Sequence, residues 1–346
     1  MNIKNVCVLG GSGFVGNHII RRLAEKGLNV RVLTRNRERA KELFVLPAVS
    51  VVEANIFDPL ELNLHFAGMD AVINLVGVLH EETPGRVDKP SARRGSFHEA
   101  HVELPRKVVH ACAANGVRRL LHMSALGADP TSNSAYQRSK GIGEVVVRES
   151  ATVHKEHEDW YLNGPKFVHG YGLDITIFRP SVIFGREDNF LNMFAGLVKS
   201  VPVLPLANPD AKFQPVYVDD VAQAFVNSLT NSATIGQTYE LCGPKVYTMQ
   251  QLMEFVAKTL GVRRKIIPLC PRLSYVQALL LEFMPGKKLM TRDNYYAMQT
   301  DNICHGEFRS ELLGIKPTAM EAVVPTYLAD ITPRGRYTAF RYKARR

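Results

Sequence analysis

The sequence is short of cysteines and has no long apolar run, and both shortages limit what the protein can be. Its apolar runs fall short of the roughly 20 residues that cross a bilayer, and a strand expected from residue 5 leaves no room for a secretory leader. The five cysteines are odd in number and never closer than 28 positions, which predicts neither a disulfide framework nor a zinc knuckle. A cytoplasmic protein is favoured, with peripheral attachment to the inner face of the membrane as the alternative.

Acids are absent from the last sixteen residues, where six of the arginines and lysines lie. Of the net charge of +10, only +4 belongs to the chain without this basic tail, residues 331–346. A nucleic-acid-binding protein is expected to spread basic residues along one face, so we expect no nucleic-acid partner. The tail is interpreted as a solvated terminus, with contact to anionic lipid or an acidic partner as the alternative.

An apolar strand followed by a glycine turn opens the chain. Val6 to Leu9 is a short apolar run, and the glycines after it fit two overlapping dinucleotide-binding spacings, with a helical pattern starting inside them. Near glycine, backbone N–H groups approach phosphate oxygens closely, and the positive end of a helix favours their charge. The turn therefore predicts a pyrophosphate site rather than a purely structural turn. The residues expected to form it are Gly10, Gly11, Ser12, Gly13, Phe14, Val15 and Gly16.

The end of the second predicted strand, residues 29–34, bears on the choice of cofactor. NAD-binding folds usually place an acid there to hold the ribose 2′-hydroxyl. This chain instead has Thr34 and Arg35, and an arginine pairs with a 2′-phosphate that a carboxylate would repel. NADP(H) is therefore favoured, and NAD(H) is the alternative. Under that alternative, Arg37 and Arg39 lie on the next helix and have no role in binding the cofactor.

Five predicted strands alternate with helices up to residue 124, which predicts a doubly wound parallel sheet. In the loop after the third strand, Asn55, Ile56 or Asp58 is expected to reach the adenine. After the fourth strand, Val76 and Gly77 are expected to lie close to the cofactor, because a glycine lets the backbone approach it.

Three polar residues around the fifth strand predict a catalytic site. Ser124 ends this strand, at the edge where open α/β sheets bind their ligands, and Tyr136 and Lys140 share a helix face because they stand four apart. Lowering the pKa of a phenol from about 10 to about 7 requires roughly 4 kcal/mol, part of which a nearby ammonium supplies. Tyr136 is then expected to exchange a proton with a carbonyl or hydroxyl substrate, while Ser124 hydrogen-bonds the same oxygen and the nicotinamide carries hydride.

Together these residues resemble the extended and atypical short-chain dehydrogenases/reductases, of the NAD-dependent epimerase/dehydratase type, over nearly the whole chain. Gly10, Gly13 and Gly16 match the glycine spacing of that family, and the three polar residues match its catalytic set. Asn55 stands where the family usually has an aspartate on the adenine, and the amide oxygen still accepts a hydrogen bond.

The resemblance implies a Rossmann domain over residues 1–194 and a smaller C-terminal α+β substrate lobe over 195–330, with part of 213–232 returning to the first domain. It also implies nicotinamide contacts by the exit of the sixth strand. The residues concerned are Pro180, Ser181 and Ile183.

Within the family, the chain most resembles the branch that contains the NAD(P)H-binding accessory subunit of respiratory complex I and its bacterial relatives. The runs that carry this resemblance are 136–147, 184–192 and 285–294. Two functions are therefore predicted. One is an oxidoreductase or epimerase acting on a small molecule of unknown identity, and the other is a non-catalytic nucleotide-binding subunit or assembly factor of a respiratory assembly.

The segment 151–171 is longer than this connection usually is in the family, and it leads to the sixth strand, the predicted edge of the sheet. His154, His157 and nearby acids are interpreted as a solvated loop, and no metal site is expected. The alternative is that this segment contacts a partner, such as a respiratory complex or a membrane surface, because it contains Trp160.

Overall fold

The structure is a computed structural model, and it describes residues 1–81, 96–151, 171–284, 288–306 and 310–329. The basic tail and most of the segment 151–171 lie outside the described residues. Two compact units make up the chain: unit 1 is Met1–Arg179, Val221–Glu240 and Arg309–Ile315, and unit 2 is Pro180–Asp220, Leu241–Phe308 and Lys316–Arg346. The sequence instead places the first boundary at residue 194 and the returning segment within 213–232.

The described residues form strands and helices with the following bounds. The strands are β1 (Asn5–Leu9), β2 (Asn29–Thr34), β3 (Val49–Glu53), β4 (Ala71–Asn74), β5 (Arg119–Met123), β6 (Asp174–Pro180), β7 (Ile183–Phe184), β8 (Val203–Leu206), β9 (Lys212–Phe213), β10 (Val216–Tyr217), β11 (Gln237–Leu241), β12 (Tyr247–Thr248) and β13 (Lys265–Pro268). The α-helices are α1 (Phe14–Glu25), α2 (Pro59–Phe66), α3 (Leu104–Ala114), α4 (Ala135–Glu149), α5 (Phe190–Ser200), α6 (Val218–Ser228), α7 (Met249–Thr259), α8 (Pro271–Glu282), α9 (Arg292–Ala297), α10 (Ser310–Leu313), α11 (Met320–Val323) and α12 (Pro325–Leu328). A π-helical turn, Glu99–Glu103, precedes α3.

The central sheet has seven strands in the order β11-β6-β5-β4-β1-β2-β3. The pairs that β1 makes with β2 and β4 are parallel, and Leu9 stands opposite both Leu33 and Asn74. The carboxyl ends of these three strands therefore meet at one edge of the sheet, where doubly wound folds bind nucleotides. The predicted parallel sheet of the Rossmann class is confirmed.

Burial explains why this sheet forms. Val6 to Leu9 are completely buried, as expected for a strand that is covered on both faces. Helix α1 buries Ile19, Ile20 and Leu23, which recur at helical spacing along the side that faces the core.

The predicted edge of the sheet is wrong, because β11 lies outside β6. The Ser181 N–H donates to the Leu241 carbonyl at 2.9 Å, and the Gly236 N–H donates to the Ile175 carbonyl at 2.7 Å. Strand β11 follows about 55 residues that belong largely to unit 2, and a local apolar pattern does not show which sheet a later strand joins.

Unit 2 has its own apolar core, to which α5 and α7 contribute Leu191, Val198 and Leu252. The Asp188 carboxylate accepts from the Leu191 N–H at 2.6 Å at the start of α5, and Thr248 forms a capping box with Gln251 at the start of α7. Among the described residues, no helix combines the length and apolar content that crossing a bilayer requires.

Unit 2 also contains one disulfide, between Cys242 and Cys304 with Cα atoms 6.2 Å apart, which the argument against a disulfide framework did not predict. Gln214 brings the two cysteines together: its carbonyl accepts from the Gly243 N–H at 3.2 Å, and its side-chain oxygen accepts from the Cys304 N–H at 3.0 Å. These contacts join residues far apart in the sequence, so cysteine spacing does not show them. The cysteine argument for a reducing compartment therefore loses its support.

Candidate functional site

The glycine turn lies where β1 ends and α1 begins. Gly10 has a φ of +77°, which favours glycine, and a Cβ there would lie 3.2 Å from the Val76 nitrogen. A Cβ on Gly16 would lie 2.5 Å from the Gly11 Cα, so α1 packs against the turn at a distance that a larger residue does not allow. The Gly13 N–H donates to the Gly10 carbonyl oxygen at 3.1 Å and closes the turn.

The amino end of α1 is suited to an anion. Gly13 is its N-cap, and within the described residues no side chain caps the helix and no acid stands in its first turn. The N–H groups of the first turn carry the positive end of the helix dipole and have no partners within the helix. Phe14 and Val15 lie in this turn and Ser12 directly precedes the N-cap, so the structure places the predicted pyrophosphate residues together.

The carboxyl end of β2 lies beside the glycine turn. The Thr34 hydroxyl is buried, 3.3 Å from the Ser12 hydroxyl, and donates to the Asn36 carbonyl at 3.1 Å. Arg35 is exposed next to it, and Arg37 lies over the Phe44 ring, 5.2 Å from its centre. A hydroxyl pair and an exposed guanidinium thus stand where NAD-binding folds place an acid.

The loop after β3 carries the residues predicted for the adenine. The Asn55 N–H donates to the Glu61 carboxylate at 2.7 Å, and the Asn55 side-chain oxygen accepts from the Phe57 N–H at 3.3 Å. Ile56 is buried. The Asp58 carboxylate accepts from a backbone N–H at 2.9 Å and caps α2. The Asn55 oxygen keeps one acceptor position, whereas Asp58 already has a structural role.

Ser124 directly follows β5 and is buried. Its N–H donates to the Phe178 carbonyl oxygen at 2.7 Å, which fixes the backbone. The hydroxyl is buried without a hydrogen-bond partner among the described residues. A buried polar group without a partner costs free energy, and a ligand that supplies the partner is one way in which this cost is removed.

Lys140 is buried one helical turn after Tyr136 in α4. Its ammonium donates to the Met123 carbonyl oxygen at 3.3 Å, at the end of β5. On the other side it approaches the loop after β4, where a Cβ on Gly77 would lie 3.0 Å from Nζ. The structure therefore brings Ser124, Tyr136, Lys140 and Gly77 to the same edge of the sheet.

The environment of Lys140 lowers the pKa of its side chain. Burial lowers the pKa of Lys140 to about 8, and the nearby Glu144 carboxylate opposes this shift. A lysine with this pKa is still mostly charged at neutral pH. It therefore offers a cation, in a site from which water is largely excluded, to groups that approach the end of β5.

Two buried histidines beside Lys140 were not selected from the sequence. The His122 Nδ1 lies 3.3 Å from the Asn74 side-chain nitrogen, and burial, together with the Lys140 charge, lowers the pKa of His122 to about 3. Burial, then the Lys140 charge and then His122, lowers the pKa of His101 to about 2. Both rings are thus neutral at physiological pH. A histidine inside the apolar fifth strand is the signal that points to His122.

Pro180, Ser181 and Ile183 belong to unit 2. The Ser181 hydroxyl donates to the Asn302 side-chain oxygen at 2.7 Å, and the Val182 N–H donates to the same oxygen at 3.2 Å. Their assignment to the nicotinamide stays a prediction. In the parts of the chain that the structure describes, no three His, Cys, Asp or Glu side chains form a metal cluster, and His154 and His157 lie outside them.

The model of the NAD-dependent epimerase/dehydratase family matches residues 6–242, more than half of the chain. The chain belongs to this family. The family predicted from the glycine turn and the polar set at β5 and α4 is therefore confirmed, and its description names NAD as cofactor.

Relatives of the chain include mitochondrial NADH-ubiquinone oxidoreductase subunits and a reductase. The mitochondrial 40 kDa subunit of NADH-ubiquinone oxidoreductase from Neurospora crassa is 27% identical over 334 residues, 95% of this chain and 80% of its own length. The mitochondrial NADH dehydrogenase (ubiquinone) 1 alpha subcomplex subunit 9 of Arabidopsis thaliana is 28% identical over 86% of this chain and 70% of its own. A ceramide reductase from Caulobacter vibrioides is 26% identical over 76% of this chain and 73% of its own. The predicted resemblance to the complex I branch is thus confirmed.

Solved structures of epimerases and dehydratases share the fold. A nucleoside-diphosphate-sugar epimerase from Staphylococcus aureus superposes with a TM-score of 0.66 at 18% identity, covering 94% of this chain and 99% of its own. The dTDP-glucose 4,6-dehydratase from Streptomyces venezuelae, whose structure contains NAD, superposes with a TM-score of 0.66 at 21% identity, covering 94% and 95%. At these identities the similarity shows the fold alone.

Proposed function

We propose that unit 1 binds a nicotinamide dinucleotide and that the chain is an oxidoreductase or epimerase acting on a small carbonyl or hydroxyl compound. The observation that carries this proposal is the Ser124 hydroxyl, buried beside the end of β5 with no partner among the described residues. The glycine turn and the uncapped amino end of α1 fit a pyrophosphate. Lys140, beside Gly77 and Met123, fits the ribose of the nicotinamide half.

In the proposed mechanism, two side chains form hydrogen bonds with the same substrate oxygen. Ser124 donates a hydrogen bond to that oxygen, and Tyr136 exchanges a proton with it. The Lys140 ammonium stabilises the tyrosinate form, because Lys140 lies on the same face of α4 in a buried site. The nicotinamide, when bound, supplies or accepts the hydride.

NADP(H) is the proposed cofactor, with NAD(H) as the alternative. Arg35 is exposed at the end of β2, and the Ser12 hydroxyl lies beside this strand end, 3.3 Å from the Thr34 hydroxyl. An arginine and the Ser12 hydroxyl, both of which can donate, suit a 2′-phosphate better than the 2′-hydroxyl of NAD.

A second function, as a nucleotide-binding subunit or assembly factor of a respiratory assembly, is supported by two relatives named as subunits of NADH dehydrogenases. In that function the cofactor stabilises the fold by binding, without turnover. The basic tail 331–346 and the segment 151–171 are the proposed contacts with such an assembly or with a membrane surface.

One experiment separates the two functions. Purified chain is mixed with NADPH or NADH and a panel of carbonyl and quinone compounds, and hydride consumption is measured, with Tyr136→Phe as the control. Consumption that the Phe variant loses supports the enzyme. Tight binding without consumption by either protein supports the subunit and contradicts the enzyme.

A further inference from the structure

His101 lies in an irregular part of the backbone next to the candidate site. It is in the centre of the π-helical turn Glu99–Glu103, and π-turns are rare and frequently occur at functional sites. A Cβ on Gly143 of α4 would collide with the His101 carbonyl oxygen. The helix that carries Tyr136 and Lys140 therefore rests directly on the turn that carries His101.

The hydrogen bonds of His101 determine which of its nitrogens carries the proton. The Val78 N–H donates to Nε2 at 3.1 Å, so Nε2 is an acceptor and the proton is on Nδ1. Nδ1 lies 2.9 Å from the Ser139 hydroxyl oxygen and donates to it. The Ser139 hydroxyl in turn donates to the Tyr136 carbonyl oxygen at 2.9 Å. A continuous chain of three hydrogen bonds thus connects the loop after β4 with the first turn of α4.

Ring contacts hold the imidazole in this orientation. Phe97 stacks on it, with ring centres 5.6 Å apart and an angle of 16° between the planes. The Tyr136 ring is nearly perpendicular to it, with ring centres 5.5 Å apart and an angle of 85° between the planes. The imidazole is therefore in contact with an apolar ring and with the proposed catalytic ring. A flip of the imidazole would put ring carbons where its nitrogens stand and would break both of its hydrogen bonds.

We propose that His101 is a positioning residue for the nicotinamide half of the cofactor. Through Val78 it holds the loop that contains Gly77, and through Ser139 it holds the turn that contains Tyr136. It thereby fixes the spacing between two elements that both face Lys140. This inference rests on the proposed function, because it assumes that the nicotinamide ribose lies between Gly77 and the Tyr136–Lys140 pair.

Amide variants separate the two hydrogen bonds. In His101→Gln the amide oxygen reaches about as far as Nε2 and can accept from Val78, whereas in His101→Asn the amide N–H reaches about as far as Nδ1 and can donate to Ser139. Each variant is expected to keep one bond and lose the other. His98→Ala is the matched control, because His98 is an exposed histidine three residues earlier in the same segment.

The test compares NADPH with ADP, which has the adenosine and pyrophosphate but no nicotinamide ribose. Calorimetry is expected to show that His101→Ala weakens NADPH roughly tenfold and changes ADP affinity by less than about twofold. The two amide variants are expected to fall between wild type and His101→Ala, and they carry the test if the alanine variant does not fold. His98→Ala is expected to match wild type for both ligands.

Two outcomes overturn the inference. Either NADPH affinity is unchanged in all three His101 variants, or NADPH and ADP weaken by the same factor, which indicates a general loss of structure. A wild-type chain that binds neither NADPH nor NADH contradicts the proposed function itself, and this result is obtained before any variant is made.

Discussion

Gly77 and Lys140 approach each other so closely that a Cβ on the glycine would stand 3.0 Å from the lysine Nζ. In Gly77→Ala, the flexible end of Lys140 is expected to move by a few tenths of an ångström, and the methyl group occupies space beside the proposed ribose site. We expect the free energy of unfolding to change by less than about 1 kcal/mol. NADPH affinity, measured by calorimetry, is expected to fall by up to about tenfold.

Gly196→Ala is the control for this change. Gly196 is exposed inside α5, and a Cβ there would meet no atom within 4 Å. Alanine is expected to stabilise that helix by about 0.5–1 kcal/mol and to leave NADPH affinity unchanged. If Gly77→Ala binds NADPH as tightly as Gly196→Ala, Gly77 does not face the cofactor.

NADPH affinity is expected to fall as the pH rises through about 8, where Lys140 loses its proton. Burial is the main cause of this lowered pKa, and the nearby Glu144 carboxylate opposes it. Ribose hydroxyls accept hydrogen bonds from the ammonium, so binding favours the charged form and takes up protons above this pH. Titrations on both sides of pH 8 measure the slope. Lys140→Met is expected to bind NADPH more weakly and with an affinity that changes less with pH. If the affinity of that variant depended on pH as the wild-type affinity does, the proton lost near pH 8 would belong to another group.

The stability of the free chain is expected to depend on pH with the opposite sign. Between about pH 8 and 10.5, the folded chain has a neutral Lys140 while the unfolded chain keeps the proton. The unfolded state then binds more protons, so the contribution of this residue to the free energy of unfolding rises with pH. Denaturant titrations of wild type and Lys140→Met measure the difference. A contribution that decreases over this range would mean that Lys140 is not desolvated.

Arg35→Asp is expected to weaken NADPH far more than NADH. The variant loses the charge-assisted hydrogen bond from Arg35 to the 2′-phosphate, and the new carboxylate repels that phosphate. Together these changes are expected to reduce NADPH affinity by at least about tenfold. Arg39→Asp makes the same charge change at another exposed arginine four residues later and is expected to affect both cofactors equally and weakly. An equal loss for NADPH and NADH in Arg35→Asp would disprove the pairing with phosphate.

Arg119→Met is expected to destabilise unit 1 without acting on the site. The guanidinium is buried and donates to the Ser228 carbonyl at 2.5 Å, the Thr176 hydroxyl at 2.8 Å and the Thr234 hydroxyl at 2.9 Å. Methionine removes these three hydrogen bonds. The Ser228 carbonyl still accepts from the Thr234 hydroxyl at 3.2 Å, and the loss is expected to cost about 3 kcal/mol. Arg118→Met, at an exposed neighbour, is expected to cost less than about 0.5 kcal/mol, and thermal unfolding of the two variants gives the comparison.

The parts of the fold that the sequence predicts are those encoded locally. The run Val6–Leu9, the glycines after it and the apolar spacing of α1 lie within twenty residues, and they specify a strand, a turn and a helix. The four-residue spacing of Tyr136 and Lys140 likewise depends only on helical geometry.

The parts that it does not predict depend on long-range contacts. Strand β11 joins the central sheet although much of the chain between β6 and β11 belongs to unit 2. Cys242 meets Cys304 because Gln214 contacts both segments. His101 is inconspicuous in the sequence, because its hydrogen bonds to Val78 and Ser139 become visible only once α3 and α4 are packed.

The most direct test of the central claim, that unit 1 binds a nicotinamide dinucleotide on its glycine turn, is calorimetric titration of the folded chain with NADPH and with NADH. We predict a saturable heat with one site per chain, and tighter binding of NADPH. A well-folded chain that gives no binding heat with either dinucleotide would contradict the account.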